Sequence, residues 1–259
     1  MMMMAIWFSA SRTAALASRG SRQMTFFRRS AKRRIITPNI ADEIKDRPFS
    51  LPSGEFKPKQ SLGQNYLSDQ NTVVRICDKF TDNSEKGSKV IEIGPGAGAL
   101  TRVLYPRYPK MTAIEIDQRA VKFLGSHFPD LKVIHQDVLL ADWLALAQER
   151  GGKLNIIGNL PYNIVSQVLF TFADAPTAIN KAVVTMQLEL ADRIVAKPNT
   201  KQYGIPSVVF QLYSNVEKLI HIPPTVFFPQ PDVDSALVSF DFTTPHPLLH
   251  TVDPVKLKL

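Results

Sequence analysis

The chain has 259 residues, 44% of them hydrophobic, which is enough for one large domain with a sizeable core, or for a domain plus an appendage. Cys77 is the only cysteine, which excludes an intrachain disulfide and a Cys-rich zinc site, and the five histidines (127, 135, 221, 246 and 250) show no metal-ligand spacing. The formal charge of +8 resides in residues 1–41, which hold eight basic and no acidic residues; the remainder has 23 of each sign, so overall charge is not evidence for RNA binding.

In chain order, residues 1–41 are rich in Arg, Ser and Ala and lack any acid before Asp42, the composition of an organellar transit peptide. A mitochondrion is the expected destination and a plastid the alternative. A secretory signal fits poorly, because the apolar stretch at 5–17 is broken by Ser9, Ser11, Arg12 and Thr13. The competing reading is a basic arm that holds RNA phosphates. No run approaches the roughly 20 apolar residues of a membrane span. Pro48, Pro52 and Gly54 mark residues 42–56 as a linker.

Residues 57–67, Lys-Pro-Lys-Gln-Ser-Leu-Gly-Gln-Asn-Tyr-Leu, read by composition as a loop ahead of a helix at 71–80, whose Val73, Val74, Ile76 and Phe80 suit one buried side. From 89 the pattern alternates. Strands at 89–94, 111–117, 131–136, 154–158 and 181–187 are followed by helices at 99–107, 118–127, 141–150, 163–173 and 188–196. Val121, Leu124 and Phe128, for example, recur at helical spacing. A helix at 207–213 and two strands at 216–222 and 236–242, read as an antiparallel closing pair, complete the pattern. Such alternation implies an α/β fold with a doubly wound, mostly parallel, seven-stranded sheet. Between the last two strands, Phe227 and Phe228 lie on a loop whose prolines bar it from a central strand; on their own they read as packing.

Ligands of such sheets gather at the carboxyl edge of the strands, and Gly94, Glu115, Asp137 and Asn159 all fall at predicted strand ends. Gly94, Gly96 and Gly98 form a turn without side chains between strand and helix, where a nucleotide-like ligand can approach. The spacing Gly94-x-Gly96-x-x-Ala99 also fits a dinucleotide site. Glu115, about 20 residues beyond the turn, can accept hydrogen bonds from a ribose diol, which NAD and S-adenosyl-L-methionine share. Asp137 suits an adenine amino group. Asn159-Leu160-Pro161-Tyr162 combines an amide, a rigid proline and an aromatic ring, which suits an amine methyltransferase better than hydride transfer. Taken alone, Asn159 could instead cap the following helix and Tyr162 could be core.

Residues 61–67 (Ser-Leu-Gly-Gln-Asn-Tyr-Leu), the glycine turn, Glu115, Asp137, Asn159-Leu160-Pro161-Tyr162 and residues 227–235 (Phe-Phe-Pro-Gln-Pro-Asp-Val-Asp-Ser) occur in one order. Together, over roughly residues 57–242, they resemble the ribosomal RNA adenine dimethyltransferase family of the KsgA type and its organellar relatives. The resemblance implies a Rossmann-like methyltransferase domain at 57–242. It also implies that residues 243–259 are a remnant of the family's helical RNA-binding domain. It implies S-adenosyl-L-methionine as cofactor, bound by Gln64, Asn65, Leu67, Gly94, Gly96, Gly98, Glu115, Asp137 and Asn159. Catalysis falls to Asn159, Leu160, Pro161 and Tyr162, with Tyr162 and Phe228 stacking on the target adenine. Small-subunit rRNA or a pre-ribosomal particle is the implied partner, with no membrane, no metal and a monomeric protein. Competing expectations are a large-subunit rRNA methylase of the macrolide-resistance type, a non-catalytic RNA-binding assembly or mitochondrial transcription factor that kept the fold, and an NAD-dependent oxidoreductase.

Overall fold

A computed structural model describes residues 58–59 and 62–251; residues 1–57, with the expected leader and linker, residues 60–61, with Ser61 of the motif at 61–67, and residues 252–259 lie outside the described residues. The elements in chain order are β1 (Tyr66–Leu67), α1 (Gln70–Asp78), β2 (Val90–Ile93), α2 (Thr101–Arg107), β3 (Thr112–Glu115), α3 (Gln118–His127) and β4 (Lys132–His135). There follow α4 (Trp143–Glu149), β5 (Leu154–Asn159), α5 (Val165–Asp174), β6 (Ile179–Gln187), α6 (Leu188–Ile194), α7 (Ile205–Tyr213), β7 (Asn215–Ile222), β8 (Phe227–Phe228) and β9 (Ser235–Asp241).

The main sheet has seven strands in the order β4-β3-β2-β5-β6-β9-β7. The first five are parallel, and β9 runs antiparallel to both β6 and β7. This is the expected doubly wound sheet with its antiparallel closing pair. Successive residues of a strand face opposite sides, and the core divides accordingly. Ile91, Ile156 and Val184 pack with α4 to α7 on one face, whereas Val90, Ala113, Ile157 and Val183 pack with α1 and α2 on the other. A parallel sheet covered on both faces needs such near-continuous apolar strands. The helix starts follow from local chemistry. Asp69, Asp117 and Asp142 each accept a hydrogen bond from a first-turn backbone N–H, of Thr72, Arg119 and Ala145 respectively.

One element departs from the sequence reading. Residues 66–67 and 227–228, both expected in loops, form a separate two-stranded antiparallel sheet with Tyr66 opposite Phe228 and Leu67 opposite Phe227. Ser68 extends it, its N–H and Oγ–H both donating to Val226 O, at 2.8 Å and 3.0 Å. Two residues are too few to display a period of two, and the partners lie some 160 positions apart, so no local pattern could announce the pair. The tail opens with a 3₁₀ turn, Pro247–Thr251, and His246 N–H donates to Leu212 O of α7 at 2.9 Å.

Candidate active site

The turn after β2 forms the floor of the site. Gly94 and Gly96 have φ of 62° and 54°, the left-handed region that favours glycine. A Cβ on Gly96 would stand 2.7 Å from the ring of Tyr66, so the strap carrying β1 closes directly onto the turn. Gly98 serves the helix layer instead: a Cβ there would meet Leu124 of α3 and Phe128, each at 3.3 Å.

Above the turn lies a cavity of about 270 Å³. Gln64, Asn65 and Leu67 line it from the strap, Gly94 and Gly96 from the turn, and Glu115, Asp137 and Asn159 from the ends of β3, β4 and β5. Eight of the nine residues expected around the cofactor thus share one cavity. Gly98 is the exception: it does not line the cavity, and a Cβ there would meet Leu124 of α3 and Phe128.

The polar groups are held firmly. Glu115 is 4% exposed; its Oε2 accepts from Gly96 N–H at 2.9 Å and its Oε1 from Asp117 N–H at 2.8 Å. Burial raises its pKa, and those backbone donors oppose the rise. Asp137 Oδ1 accepts from Leu139 N–H at 2.9 Å, which sets the carboxylate at the cavity edge. Gln64 lines the cavity while its amide is engaged within the protein. Its Oε1 accepts from Tyr66 O–H at 2.8 Å and from Lys59 N–H at 2.9 Å, and its Nε2–H donates to Asp117 at 3.4 Å. Asp117, also ion-paired with Arg119 at 2.6 Å and Lys59 at 3.5 Å, anchors the strap. Burial opposes ionisation of Asp117, but hydrogen bonds from Arg119 and Gln64 outweigh it and bring the carboxyl down to about 2.

Of the tetrapeptide, Asn159 ends β5 and Pro161 lines the cavity beside it. The Asn159 amide caps no helix. Its Nδ2–H donates to Asn65 O at 2.9 Å and its Oδ1 accepts from Thr185 Oγ1–H at 2.6 Å. Leu160 is 2% exposed and does not line the cavity. Tyr162 is half-buried, outside the cavity, with its hydroxyl 2.6 Å from Ser235 Oγ of β9. Burial raises its pKa, and the Ser235 bond acts against that. Of the two aromatics on β8, Phe227 is 4% exposed and packs in the core, whereas Phe228 is 52% exposed and faces out.

Three cavity or support residues escaped the sequence reading. Glu92, at the centre of β2, lines the cavity at 1% exposure. Burial pushes its carboxyl up to about 8 despite a hydrogen bond from Thr101 Oγ1–H at 2.8 Å, and the nearby Glu115 charge acts in the same direction as burial. A charged residue inside the run Val-Ile-Glu-Ile was the available signal. Asn163 lines the cavity, with its amide against Gly63. Thr185 is fully buried in β6, a hydroxyl among apolar neighbours.

The cavity suits an adenosyl group bearing a ribose: a turn without side chains gives close approach, the buried Glu115 carboxylate lines it at the end of β3, and Asp137 stands one strand further out. Comparison with known proteins agrees. The family model "Ribosomal RNA adenine dimethylase" matches residues 55–252. "Ribosomal RNA small subunit methyltransferase A" of Salinibacter ruber is 45% identical over 204 residues, covering 76% of this chain and 68% of that protein. Its namesake in Bacillus thuringiensis is 40% identical over 227 residues, with coverage of 85% and 75%. Among solved structures, the 23S rRNA methyltransferase ErmE has a TM-score of 0.60 at 28% identity, covering 75% of each chain. A Plasmodium falciparum dimethyladenosine transferase has a TM-score of 0.57 at 23% identity, covering 71% of this chain and 63% of that one, a likeness of fold. With a match over most of its length and its motifs gathered at one sheet edge, this chain belongs to the ribosomal RNA adenine dimethylase family.

Proposed function

We propose that the protein is an S-adenosyl-L-methionine-dependent rRNA adenine N6,N6-dimethyltransferase that acts, as a monomer, on small-subunit rRNA or its precursor particle in an organelle, the mitochondrion before the plastid. The observation that carries the chemistry is the Asn159 amide, held with a defined orientation at the rim of the cavity above the glycine turn.

When bound, S-adenosyl-L-methionine supplies the methyl group from its sulfonium. Gly94 and Gly96 admit the cofactor, Glu115 receives the ribose hydroxyls, Asp137 the adenine amine, and Asn65 and Leu67 flank the methionine end. The exocyclic amine of adenine is a weak nucleophile because its lone pair is spread into the ring. Asn159 Oδ1 accepts one N–H of that amine and the Leu160 carbonyl accepts the other. Two acceptors draw the nitrogen toward a tetrahedral shape and localise the pair on the side facing the donor. Pro161 keeps Leu160 extended, which aims its carbonyl. Tyr162, tied by its hydroxyl to Ser235, stacks on one face of the base, and the exposed Phe228 meets the other. Such stacking is worth ~1–3 kcal/mol per base, enough to offset much of the cost of extruding the adenine. No strong base is required, since the methylated amine is acidic and releases its proton to water. Alignment supplies much of the rate.

Similarity of 40–45% to small-subunit enzymes against 28% to the large-subunit ErmE supports the small-subunit target. The acid-free, Arg-rich leader supports the organelle. The test is thermal shift: S-adenosylhomocysteine at 100 times its Kd adds about 2.7 kcal/mol and raises the melting temperature, whereas NAD does not. A rise with NAD alone would remove the methyltransferase reading.

A further inference from the structure

Thr185 stands in β6 among Ala182, Val183, Val184 and Met186, all fully buried, and is itself fully buried. A hydroxyl there costs stability unless bonded. Valine has nearly the same shape and would fill the site with no hydroxyl to satisfy, so the oxygen's role lies in the bond it makes. The register of the parallel pair places Thr185 beside Asn159, and its Oγ1 lies 2.6 Å from Asn159 Oδ1.

The direction of that bond follows from the other end of the amide. Asn159 meets the backbone carbonyl of Asn65 at 2.9 Å, and a carbonyl can only accept. The nitrogen must therefore face Asn65, the oxygen must face Thr185, and the threonine hydroxyl must donate. Exchanging the ends of the amide would set two carbonyl oxygens against each other. An amide oxygen has two lone pairs; Thr185 occupies one, and one remains at the cavity rim.

We propose that Thr185 is a positioning residue for methyl transfer: together with the Asn65 carbonyl it locks the Asn159 amide so that a single lone pair of Oδ1 is presented to the target amine. This rests on the reading of Asn159 as acceptor in that reaction. The lock ties the strap (Asn65), β5 (Asn159) and β6 (Thr185) to one side chain, so the position of the strap over the cavity also sets the acceptor.

The test uses the full chain with Thr185→Val, Thr185→Ser, Asn159→Ala and the double variant Thr185→Val/Asn159→Ala. Thr185→Val is expected to leave the melting temperature unchanged and the KM for S-adenosyl-L-methionine within twofold of wild type while kcat on small-subunit rRNA falls about tenfold, the equivalent of one hydrogen bond. Thr185→Ser restores most of it. In the Asn159→Ala background, Thr185→Val costs nothing further, because its effect passes through that amide. A full additional loss in the double variant, or unchanged kcat in Thr185→Val, would overturn the proposal. A second measurement needs no RNA. On ¹⁵N-labelled protein, the side-chain amide protons of Asn159 exchange with water at least tenfold faster in Thr185→Val than in wild type or Thr185→Ser; equal exchange would also overturn the lock. Wild-type protein inactive on small-subunit rRNA but showing this exchange difference would instead refute the functional reading and leave the lock standing.

Discussion

Asn159 is where residue chemistry and fold meet most closely. Its side chain is spoken for at both ends by groups from other elements, which is how an uncharged amide becomes a directional acceptor. Asn159→Ala is expected to leave S-adenosylhomocysteine binding within a few-fold of wild type and to lower methyl transfer about 100-fold, the scale seen when one preorganised polar group is removed from a reaction site. Calorimetry and transfer of labelled methyl to rRNA read the two separately; undiminished transfer would refute the role given to it. Glu92 makes a prediction about pH. Its folded carboxyl lies near 8 because of burial, against an ordinary value of 4.5. The protonated form is therefore favoured by folding, so the stability this group contributes is present below about pH 4.5 and is lost as pH rises through 8. Glu92→Gln, which cannot ionise, should flatten the fall in denaturant-measured stability between pH 5 and 9. An identical pH profile for both proteins would show that Glu92 is already ionised in the native state.

At the scale of elements, the small β1–β8 sheet deserves as much weight as the large one. It brings the strap at 62–67 across the glycine turn and sets Tyr66 against Gly96, so it supplies one wall of the cavity. Phe227 is its buried anchor, and Phe227→Ala is expected to cost about 3–5 kcal/mol and to weaken S-adenosylhomocysteine binding beyond that loss, because the wall loosens with the anchor. Urea denaturation and calorimetry check this; full stability would place the anchor elsewhere. Gly96→Ala acts on the same junction from below. It forces a left-handed backbone onto a residue with a side chain and pushes a methyl into Tyr66, 2.7 Å away. Loss of cofactor binding by more than tenfold is expected, measured by titration; unchanged affinity would mean that the strap gives way at no cost.

For the whole molecule, charge separates two parts. Beyond residue 41 the chain is formally neutral, and the excess of positive charge belongs to residues 1–41. Removing residues 1–41 is expected to leave the melting temperature and methyl transfer unchanged in vitro while abolishing organellar import of a tagged protein in cells. If the truncated protein instead loses RNA affinity and its binding becomes less sensitive to salt, the leader is an RNA-holding arm.

The alternation of apolar strands with amphipathic helices was sufficient to set the fold class, the chain order of the main-sheet strands and their helices, and the sheet edge where Gly94, Glu115, Asp137 and Asn159 meet. These are properties of periodicity and connection, which a chain carries locally. Three features required the folded molecule: the pairing of Tyr66 with Phe228, the placing of Gly98 against α3 away from the cavity, and the lock on Asn159 by Thr185 and Asn65. Each depends on segments remote in sequence coming within a few ångströms. A two-residue strand, a missing Cβ and a lone hydroxyl leave no periodic trace, so only tertiary contact decides what they do.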